Sequence, residues 1–496
     1  MTDRDGLTEL DALAQAELVR RKEVTALELV EAAIDRIERL NPQVNAVVLR
    51  TYERARQAAS GPLGDGPLAG VPYLLKDLVV EEAGVPLREA SAFLADYVPA
   101  VDSELVRRLK RAGLIVLGRT NTPELGLGPT TEPRLYGPAR NPWDPTRTTG
   151  GSSGGAGAAV ACRMVPAAHG NDAGGSIRIP ASCCGVFGLK PTRARVPAGP
   201  HYGELLGGLA VEHALTRSVR DSAALLDATA GPELGDPYWA PAPARAFREE
   251  VGRPPGRLRI AFSTRTLLGS TVHPDCVAAV HDAARLCETL GHVVVEGAPA
   301  VEAEPFWTAF TTVLSAAFAW AIDDWSRRTG RPAAPEHFEP FLWALAGRGR
   351  EFSAAAYLLA QQDMHRASRE VARFFVDHDV WLTPTLGAPP VPLGTLVYRG
   401  GDPFEMRRRI GEFCPFTWIA NATGQPAMSA PLHWNQEGLP IGTQWMSRFG
   451  DEATLLQLAA QLETARPWTR RPPVSLATGA REPSGQAGRA TRRPAC

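Results

Sequence analysis

Two glycine-rich loops, each carrying a serine, stand on either side of a short run of small residues. The first loop spans residues 149–155 and holds Ser152, the second spans residues 170–180 and holds Ser176, and residues 156–164 between them predict a helix. Glycines next to a serine tolerate unusual backbone dihedrals and allow several backbone N–H groups to converge on one point. The pair of loops therefore predicts two hydroxyl groups held between glycine turns, with a composition typical of an oxyanion hole.

Short apolar runs alternate with amphipathic stretches along most of the chain. Residues 71–75 predict a strand that ends at Lys76, and residues 103–112 predict a helix before a strand at residues 114–117. Later segments repeat the pattern, with strands at 258–262, 293–296 and 380–383, helices at 274–290, 305–325 and 352–377, and a hairpin built from 426–432 and 439–446. Alternation of this kind predicts an α/β fold around a sheet.

The domain organisation follows from local composition. Near the N-terminus, Thr25 and Glu28 form a capping-box pattern that opens an amphipathic helix. A proline- and alanine-rich connection at residues 232–255 could divide two halves, but strand patterns resume directly after it, so we predict a single domain over residues 1–475. Residues 476–496 are rich in Arg, Gly, Pro and Ser with almost nothing apolar to bury, which predicts a disordered tail.

Charge and cysteine patterns narrow the classes of function. The formal net charge is -1 and the charged residues are spread along the chain, so we predict no nucleic-acid or membrane partner. Residues 1–10 lack an apolar core, which predicts a cytoplasmic protein without a secretory signal. The most apolar helical stretch, residues 306–322, contains several hydroxyl side chains, which predicts a buried or pocket-lining helix. Cysteines without paired C-x-x-C spacing predict reduced thiols, and we predict no metal site and no cofactor.

Lys76 is the candidate general base. Lysine occurs only at positions 22, 76, 110 and 190 among 53 basic residues, so a lysine in this chain needs a reason that arginine cannot meet. A lysine acts as a base only when uncharged, which requires burial to lower its pKa, whereas arginine keeps its proton in proteins. Apolar residues on both sides of Lys76 supply that burial, and strand alternation sends the neighbouring Asp77 to the opposite face.

Four motifs together resemble the amidase-signature family over about residues 5–474. They are Gly66-Pro67-Leu68-Ala69-Gly70-Val71-Pro72 before Lys76-Asp77, Gly118-Arg119-Thr120-Asn121-Thr122-Pro123-Glu124, Gly150-Gly151-Ser152-Ser153-Gly154-Gly155 and Gly174-Gly175-Ser176-Ile177-Arg178-Ile179-Pro180. The resemblance implies a central mixed and twisted β-sheet covered by helices on both faces. It also implies a Ser-Ser-Lys triad, in which Ser176 forms the acyl-enzyme, Ser152 follows a cis peptide and relays protons, and Lys76 is the base.

The same resemblance implies roles for the residues around the serines. The oxyanion hole would be formed by the backbone N–H groups of Ala173, Gly174, Gly175 and Ser176. Supporting positions that brace the two loops are matched by Ser153, Asp172 and Arg178. From the residues alone, Asp172 and Arg178 are also compatible with a simple ion pair, and structural support is the favoured interpretation.

One position departs from the family pattern. Asn171 stands where many members carry threonine, and residues 168–172 are similar to the subgroup that contains 6-aminohexanoate-cyclic-dimer hydrolase. That subgroup suggests neutral amides of medium size. We therefore predict an amidase that hydrolyses the carbon–nitrogen bond of a small or medium-sized carboxylic amide through an acyl-serine intermediate. The sequence leaves open whether a linear amide, a cyclic amide or an ester is preferred, and whether the chain is a monomer or a homodimer.

Other functions fit parts of the same sequence. A glutamine amidotransferase A-type subunit of a transamidation complex would share the motifs and would need protein partners and transfer RNA. An α/β-hydrolase would use residues 150–154 as a G-x-S-x-G elbow with a histidine base, but residues 147–149 do not form a strand pattern and the second loop has no role. His169 is therefore interpreted as structural. A catalytically silent binding protein is a further alternative, against which fluorophosphonate labelling of Ser176 would count.

Overall fold

The structure is a computed structural model that describes residues 4–476. Its strands are β1 (Val47–Arg50), β2 (Pro72–Lys76), β3 (Ile115–Thr120), β4 (Ala167–Asp172), β5 (Phe187–Lys190), β6 (Val211–Thr216), β7 (Arg259–Phe262), β8 (Val293–Glu296), β9 (Val380–Pro384), β10 (Ala427–Trp434) and β11 (Pro440–Ser447). Its α-helices are α1 (Arg4–Glu9), α2 (Ala12–Arg20), α3 (Ala26–Val44), α4 (Tyr52–Ser60), α5 (Glu104–Arg111), α6 (Gly154–Ala161), α7 (Arg178–Cys184), α8 (Val219–Thr229), α9 (Phe247–Glu250), α10 (Pro274–Thr289), α11 (Ala303–Thr329), α12 (Pro340–Glu351), α13 (Ala354–Asp377), α14 (Pro403–Phe413), α15 (Thr417–Thr423), α16 (Glu452–Ala465) and α17 (Pro473–Leu476). The predicted tail, except for its first residue at the end of α17, lies outside the described residues.

Within the described chain, eleven strands form one sheet in the order β1-β3-β2-β4-β6-β5-β10-β11-β9-β7-β8. Strand β2 is parallel to both β3 and β4, whereas β6 is antiparallel to both β4 and β5. Parallel pairing returns at the other end, where β7 lies between β9 and β8. The predicted α/β fold with a mixed sheet is confirmed, and strands from both sides of residues 232–255 belong to this sheet.

Helices cover both faces of the sheet, as the side chains of β2 show. Tyr73 and Leu75 belong to an apolar cluster with side chains of α5, α8, α10 and α16, whereas Leu74 belongs to a second cluster with α3, α4 and α6. Successive side chains of a strand point to opposite faces, so the two clusters lie on opposite sides of the sheet. Lys76, two residues after Leu74, therefore faces the side on which α6 lies.

Two elements beside the glycine-rich loops differ from their predicted bounds. The helix predicted at residues 156–164 begins two residues earlier, as α6. The apolar segment predicted at residues 165–168 leads into β4, which continues through Asp172. The sequence pattern does not show this extension, because it depends on the antiparallel ladder with β6, which pairs Asp172 with Val211 and buries polar side chains.

Candidate active site

The three predicted reactive residues come from elements that end around one cavity. Lys76 is the last residue of β2, Ser152 lies just before α6, and Ser176 lies in the turn between β4 and α7. Ser152 and Ser176 both line the cavity, whose space measures about 1090 Å³ with its open mouth included. The structure thus brings the two glycine-rich loops together at the carboxyl ends of the parallel strands β2 and β4.

Lys76 is fully buried and contacts two polar side chains. Its Nζ lies 2.7 Å from Ser152 Oγ and 2.6 Å from Asn171 Oδ1. Burial lowers the pKa of Lys76 to about 7, although nearby carboxylates, chiefly that of Glu212, act in the opposite direction. A large fraction of this lysine is therefore uncharged at neutral pH, as a general base requires.

Asp77 is separated from the lysine that precedes it. The Asp77 carboxylate accepts hydrogen bonds from the backbone N–H of Arg88 at 3.2 Å and from the hydroxyl of Tyr136 at 2.9 Å. These partners differ from those of Lys76, and Asp77 is not among the charges that shift the pKa of that lysine. The predicted divergence of the two side chains is confirmed.

The loop before α6 depends on close contact between backbones. Its Gly151–Ser152 peptide bond is cis. A Cβ atom at Gly151 would lie 2.6 Å from the backbone oxygen of Thr130, so glycine is required there. The hydroxyl of Thr131 also donates to the backbone oxygen of Gly150 at 2.9 Å. These contacts hold the first serine in one position.

Ser153 connects the two glycine-rich loops. Its backbone N–H donates to the backbone oxygen of Ser176 at 3.1 Å, and its Oγ donates to the backbone oxygen of Asn171 at 3.3 Å. Ser153 is fully buried, so water does not compete for these bonds. A displacement of one loop is therefore transmitted to the other.

Asp172 and Arg178 form a fully buried ion pair beneath the second loop. Arg178 Nη2 lies 2.8 Å from Asp172 Oδ1, and Nε lies 3.0 Å from Oδ2. Burial alone would raise the pKa of Asp172, but the charge and hydrogen bonds of Arg178 hold that pKa well below its usual range. The carboxylate also accepts the N–H groups of Gly175 at 2.8 Å and Ile177 at 3.1 Å. Asp172 therefore fixes the turn that carries Ser176.

Arg178 links this turn to the C-terminal part of the chain. Its Nη1 donates to the backbone oxygen of Thr417 at 2.8 Å and to Oε1 of Gln444 at 2.6 Å. Its Nη2 donates to Oδ1 of Asn421 at 2.7 Å, and Asn421 Nδ2 donates to Asp172 Oδ1 at 2.9 Å. Residues of α15 and β11 thus complete the polar network under the second loop.

The predicted oxyanion-hole residues do not all have free amide groups. The cavity is lined by Ala173, Gly174 and Ser176. Gly175 has a φ of +131°, which favours glycine, and its N–H donates to the Asp172 carboxylate at 2.8 Å. The amide hydrogen of Gly175 is thus already bound within the protein, and its part in an oxyanion hole stays a prediction. The amides of the three lining residues are the remaining candidates.

A buried group of polar side chains behind Lys76 was not predicted. The backbone N–H of Lys76 donates to Nδ1 of His169 at 3.2 Å, so His169 carries its proton on Nε2, which donates to Oε2 of Glu212 at 2.7 Å. Asn171 Nδ2 also donates to Glu212 Oε1 at 3.4 Å. These bonds support the structural interpretation of His169. The sequence signal for Glu212 is weak, since it is one acidic residue in the short strand β6.

The walls of the cavity are mainly apolar. Most of them come from α11, α14, α15 and the loops at residues 125–129 and 202–210. Aromatic side chains are frequent among them, namely Tyr202, Trp307, Phe310, Phe318, Trp320, Trp325 and Trp418. A largely apolar cavity with a few polar groups at one place is typical of a small-molecule site.

Helix α11 supplies the longest stretch of wall. The helix predicted at residues 305–325 is confirmed, with the wider bounds of α11. Among the described residues it is the one helix long and apolar enough to cross a membrane, yet 72% of its most apolar window is buried inside the protein. Phe310, Leu314 and Phe318 line the cavity. The predicted pocket-lining helix is therefore confirmed.

Comparison with known proteins agrees with this geometry. The amidase family profile matches residues 28–456. The chain belongs to the amidase family. A relative within it, the 6-aminohexanoate-cyclic-dimer hydrolase of Paenarthrobacter ureafaciens, is 39% identical over 482 residues, covering 94% of this chain and 97% of that protein. A solved structure of 6-aminohexanoate cyclic dimer hydrolase matches with a TM-score of 0.90 at 39% identity, covering 94% of this chain and 99% of the other.

The resemblance to transamidation subunits is weaker. A solved subunit of the glutamyl-tRNA(Gln) amidotransferase of Thermotoga maritima matches with a TM-score of 0.75 at 26% identity, covering 93% of this chain and 96% of the other. The greater similarity is to the hydrolases of the amidase family. This chain is a hydrolase of carbon–nitrogen bonds other than peptide bonds.

Proposed function

We propose that Ser176 is the nucleophile of this amidase, that Ser152 relays protons and that Lys76 is the general base. The observation that carries the proposal is the 2.7 Å contact between the buried Nζ of Lys76 and Ser152 Oγ, in the cavity that Ser176 also lines. A lysine whose pKa burial lowers to about 7 accepts a proton readily at neutral pH.

The reaction would proceed in two halves. In the first, neutral Lys76 accepts the hydroxyl proton of Ser152, Ser152 accepts the proton of Ser176, and the Ser176 oxygen attacks the amide carbon. The relay then returns the proton to the leaving nitrogen, so an amine departs from an acyl-serine. In the second half, water gives a proton to the relay and attacks the acyl carbon; the relay then returns this proton to Ser176 Oγ as its bond to the acyl carbon breaks, which releases a carboxylic acid and restores the serine.

Two further groups would assist the attack. Asn171 Oδ1 accepts a hydrogen from Lys76 Nζ, which leaves the nitrogen lone pair of the neutral amine free to face Ser152. The amides of the second loop would stabilise the negative charge on the carbonyl oxygen, with donors from Ala173, Gly174 and Ser176. Gly175 would act indirectly, by joining the turn to Asp172.

We infer that the substrate is a small or medium-sized carboxylic amide. The mainly apolar, aromatic walls of the cavity, with polar groups at one place, support a small organic substrate of this class. The name of the 39% identical relative gives a cyclic dimer of 6-aminohexanoate as the substrate of that protein. A cyclic amide therefore belongs in the substrate panel for this chain, beside linear amides.

The proposal is tested by covalent labelling together with a substrate panel. The purified chain alone should hydrolyse short linear or cyclic amides, followed by mass spectrometry. A fluorophosphonate should modify Ser176, identified by peptide mapping, and Ser176→Ala should lose both label and activity. A wild-type chain that neither takes the label nor hydrolyses any amide would contradict the proposal. Ammonia release from glutamine only with partner proteins would favour the transamidation reading.

A further inference from the structure

One arginine in the cavity has no polar partner. Arg407 lies in α14, lines the cavity and is only 7% exposed. Across residues 4–476, no hydrogen bond or ion pair reaches its guanidinium, and its Nε is a buried donor without an acceptor. Arg178, another buried arginine near the site, donates to Asp172 and to groups of α15 and β11. Arg407 therefore presents donors that a bound molecule can satisfy.

Aromatic rings surround this guanidinium in place of acids. Its central carbon lies 5.6 Å from the ring centre of Trp307 and 6.0 Å from that of Phe310. Burial lowers the pKa of Arg407 to about 10, so the group stays charged at neutral pH. Burial also raises the pKa of the nearby Cys414 thiol to about 11, so the thiol does not supply a counter-charge. Ring faces attract a cation but leave its in-plane N–H donors unoccupied.

The next two arginines of α14 behave differently. Arg408 pairs with Glu304 at 2.9 Å, and Arg409 donates to the backbone oxygen of Thr395 at 3.1 Å. Neither lines the cavity. An unpaired charge inside a protein is unfavourable unless a ligand or a paired group offsets it. The exceptional position of Arg407 is therefore a property of the cavity and does not follow from an arginine-rich helix.

The ring of Phe310 lies between Arg407 and the proposed oxyanion hole. A Cβ atom at Gly174 would lie 3.7 Å from Cζ of Phe310, the same ring whose centre is 6.0 Å from the guanidinium. Asp324, an acidic residue of the lining, is about 20 Å farther along α11 than Phe310 at the rise of an α-helix. Among the wall helices, Arg407 thus lies at the end beside Gly174 and Asp324, which pairs with Arg327 at 2.6 Å, lies at the far end. The other two acids of the lining, Glu89 and Glu212, come from outside these helices.

We propose that Arg407 binds a carboxylate of the substrate, so that preferred amides carry a negative charge separated from the scissile bond by a short apolar chain. This inference rests on the proposed function of the site. A guanidinium binds a carboxylate through two parallel hydrogen bonds, a geometry that neither a neutral amide nor a hydroxyl reproduces. The neutral amides suggested by the subgroup resemblance would leave these donors without acceptors.

The experiment compares amides that differ only in a terminal carboxylate. One series places the charge in the acyl half, with monoamides of dicarboxylic acids of increasing length against alkanamides of the same length. A second series places it in the amine half, with N-acetyl derivatives of ω-amino acids against N-alkylacetamides. We expect wild-type kcat/KM to favour the charged member in at least one series.

Variants of Arg407 test whether this residue causes the preference for charged amides. Arg407→Met should lower the ratio of kcat/KM between charged and neutral members by about 10- to 100-fold. Arg407→Lys should lose less, since it keeps the charge without the planar fork. Arg408→Met, the matched control on the outer face of α14, should leave the ratio unchanged. If Arg407→Met does not fold, Arg407→Gln replaces it.

The outcomes separate this inference from the proposed function. Equal wild-type kcat/KM for charged and neutral amides in both series would overturn the carboxylate site alone. A charge preference that survives in Arg407→Met or Arg407→Gln would overturn it as well. If the wild type hydrolyses no amide of either kind, the proposed function fails and the carboxylate site fails with it.

Discussion

The floor and the wall of the cavity come from different parts of the chain and are built in different ways. The floor consists of Lys76, Ser152, Ser153, Asp172 and Ser176, which lie at strand ends and in turns and are joined by hydrogen bonds. The wall consists of the cavity-facing side chains of α11, α14 and α15, which are mainly apolar and aromatic. The proposed chemistry is therefore concentrated in a small hydrogen-bonded polar region, while helix side chains shape the cavity.

This contrast has a consequence for specificity. A hydrogen-bonded floor tolerates little change, because each lost bond leaves a buried polar group without a partner. Apolar wall residues can be exchanged at lower cost when their volume is kept. Relatives can therefore share the reaction and differ in the amide they accept, with Arg407 as the cationic residue among the described side chains of this wall.

Replacing Lys76, the proposed base, should have the largest effect. Lys76→Arg keeps a positive charge but cannot accept a proton, so we expect kcat/KM for the best amide to fall about 10⁴-fold. Lys110→Arg is the matched control, because Lys110 is a surface lysine that pairs with Asp102 at 2.9 Å. Steady-state kinetics measure both. Activity of Lys76→Arg within tenfold of wild type would show that the floor does not supply the base.

Removing the charge beneath the second loop should have the next largest effect. Asp172→Asn leaves Arg178 buried without its counter-charge, so we expect a loss of about 3–5 kcal/mol in the free energy of unfolding and a roughly 100-fold fall in kcat/KM. Denaturant unfolding and kinetics measure these changes. Asp144→Asn is the control, since Asp144 caps Thr146 at 2.9 Å in a partly exposed turn and should cost under about 1 kcal/mol. Equal losses in the two variants would contradict the special role of the buried pair.

Acid should lower catalytic activity through the floor residues without changing the wall of the cavity. In the proposed mechanism the active form of Lys76 is the neutral amine, and burial lowers its pKa to about 7. Below that pH, kcat/KM should fall about tenfold per pH unit as the amine is protonated, and above it the rate should reach a plateau.

Glu89, another buried ionisable residue that lines the cavity, provides the control for this titration. Burial raises the pKa of Glu89 to about 7, so it titrates in the same range. In Glu89→Gln the acid limb should persist with a slightly lower midpoint, because a negative charge that favours protonated Lys76 has been removed. Loss of the limb in this variant would identify Glu89 as the titrating group and refute the assignment to lysine.

A wall substitution should have the smallest effect. Phe318→Leu enlarges the cavity beside α11, so we expect the ratio of kcat/KM between longer and shorter amides to change by about three- to tenfold. The midpoint of the pH profile should stay at its wild-type value, because no floor residue is altered. A shifted midpoint would show that the wall and the floor are coupled.

The floor could be predicted from the sequence because its signals are local. An apolar run that ends in lysine predicts a buried amine at a strand end, and that strand is β2. Glycines adjacent to Ser152 and Ser176 predict tight turns, since their positions allow no side chain or need unusual dihedrals. The capping box of Thr25 and Glu28 likewise opens α3 as expected.

The remaining parts depend on contacts between distant segments. Asn171 and Glu212 meet only because β4 and β6 pair in one antiparallel register. Arg407 begins a run of three arginines, a pattern that favours an exposed helix face, and only the packing of α14 against Trp307 turns it inward. Sequence spacing contains no record of either arrangement, so the contact of Asn171 with Glu212 and the inward position of Arg407 are visible only in the structure.

The partners of Arg178 have a consequence for the order in which the site is completed. All three proposed reacting side chains are synthesised early, but two groups that hold this arginine lie 239 and 266 residues farther along the chain. A nascent or truncated polypeptide that lacks β11 would therefore contain the hydroxyl and amine groups without the support that orients them. Full support of the proposed site therefore requires that β11 has been synthesised and has paired with the sheet.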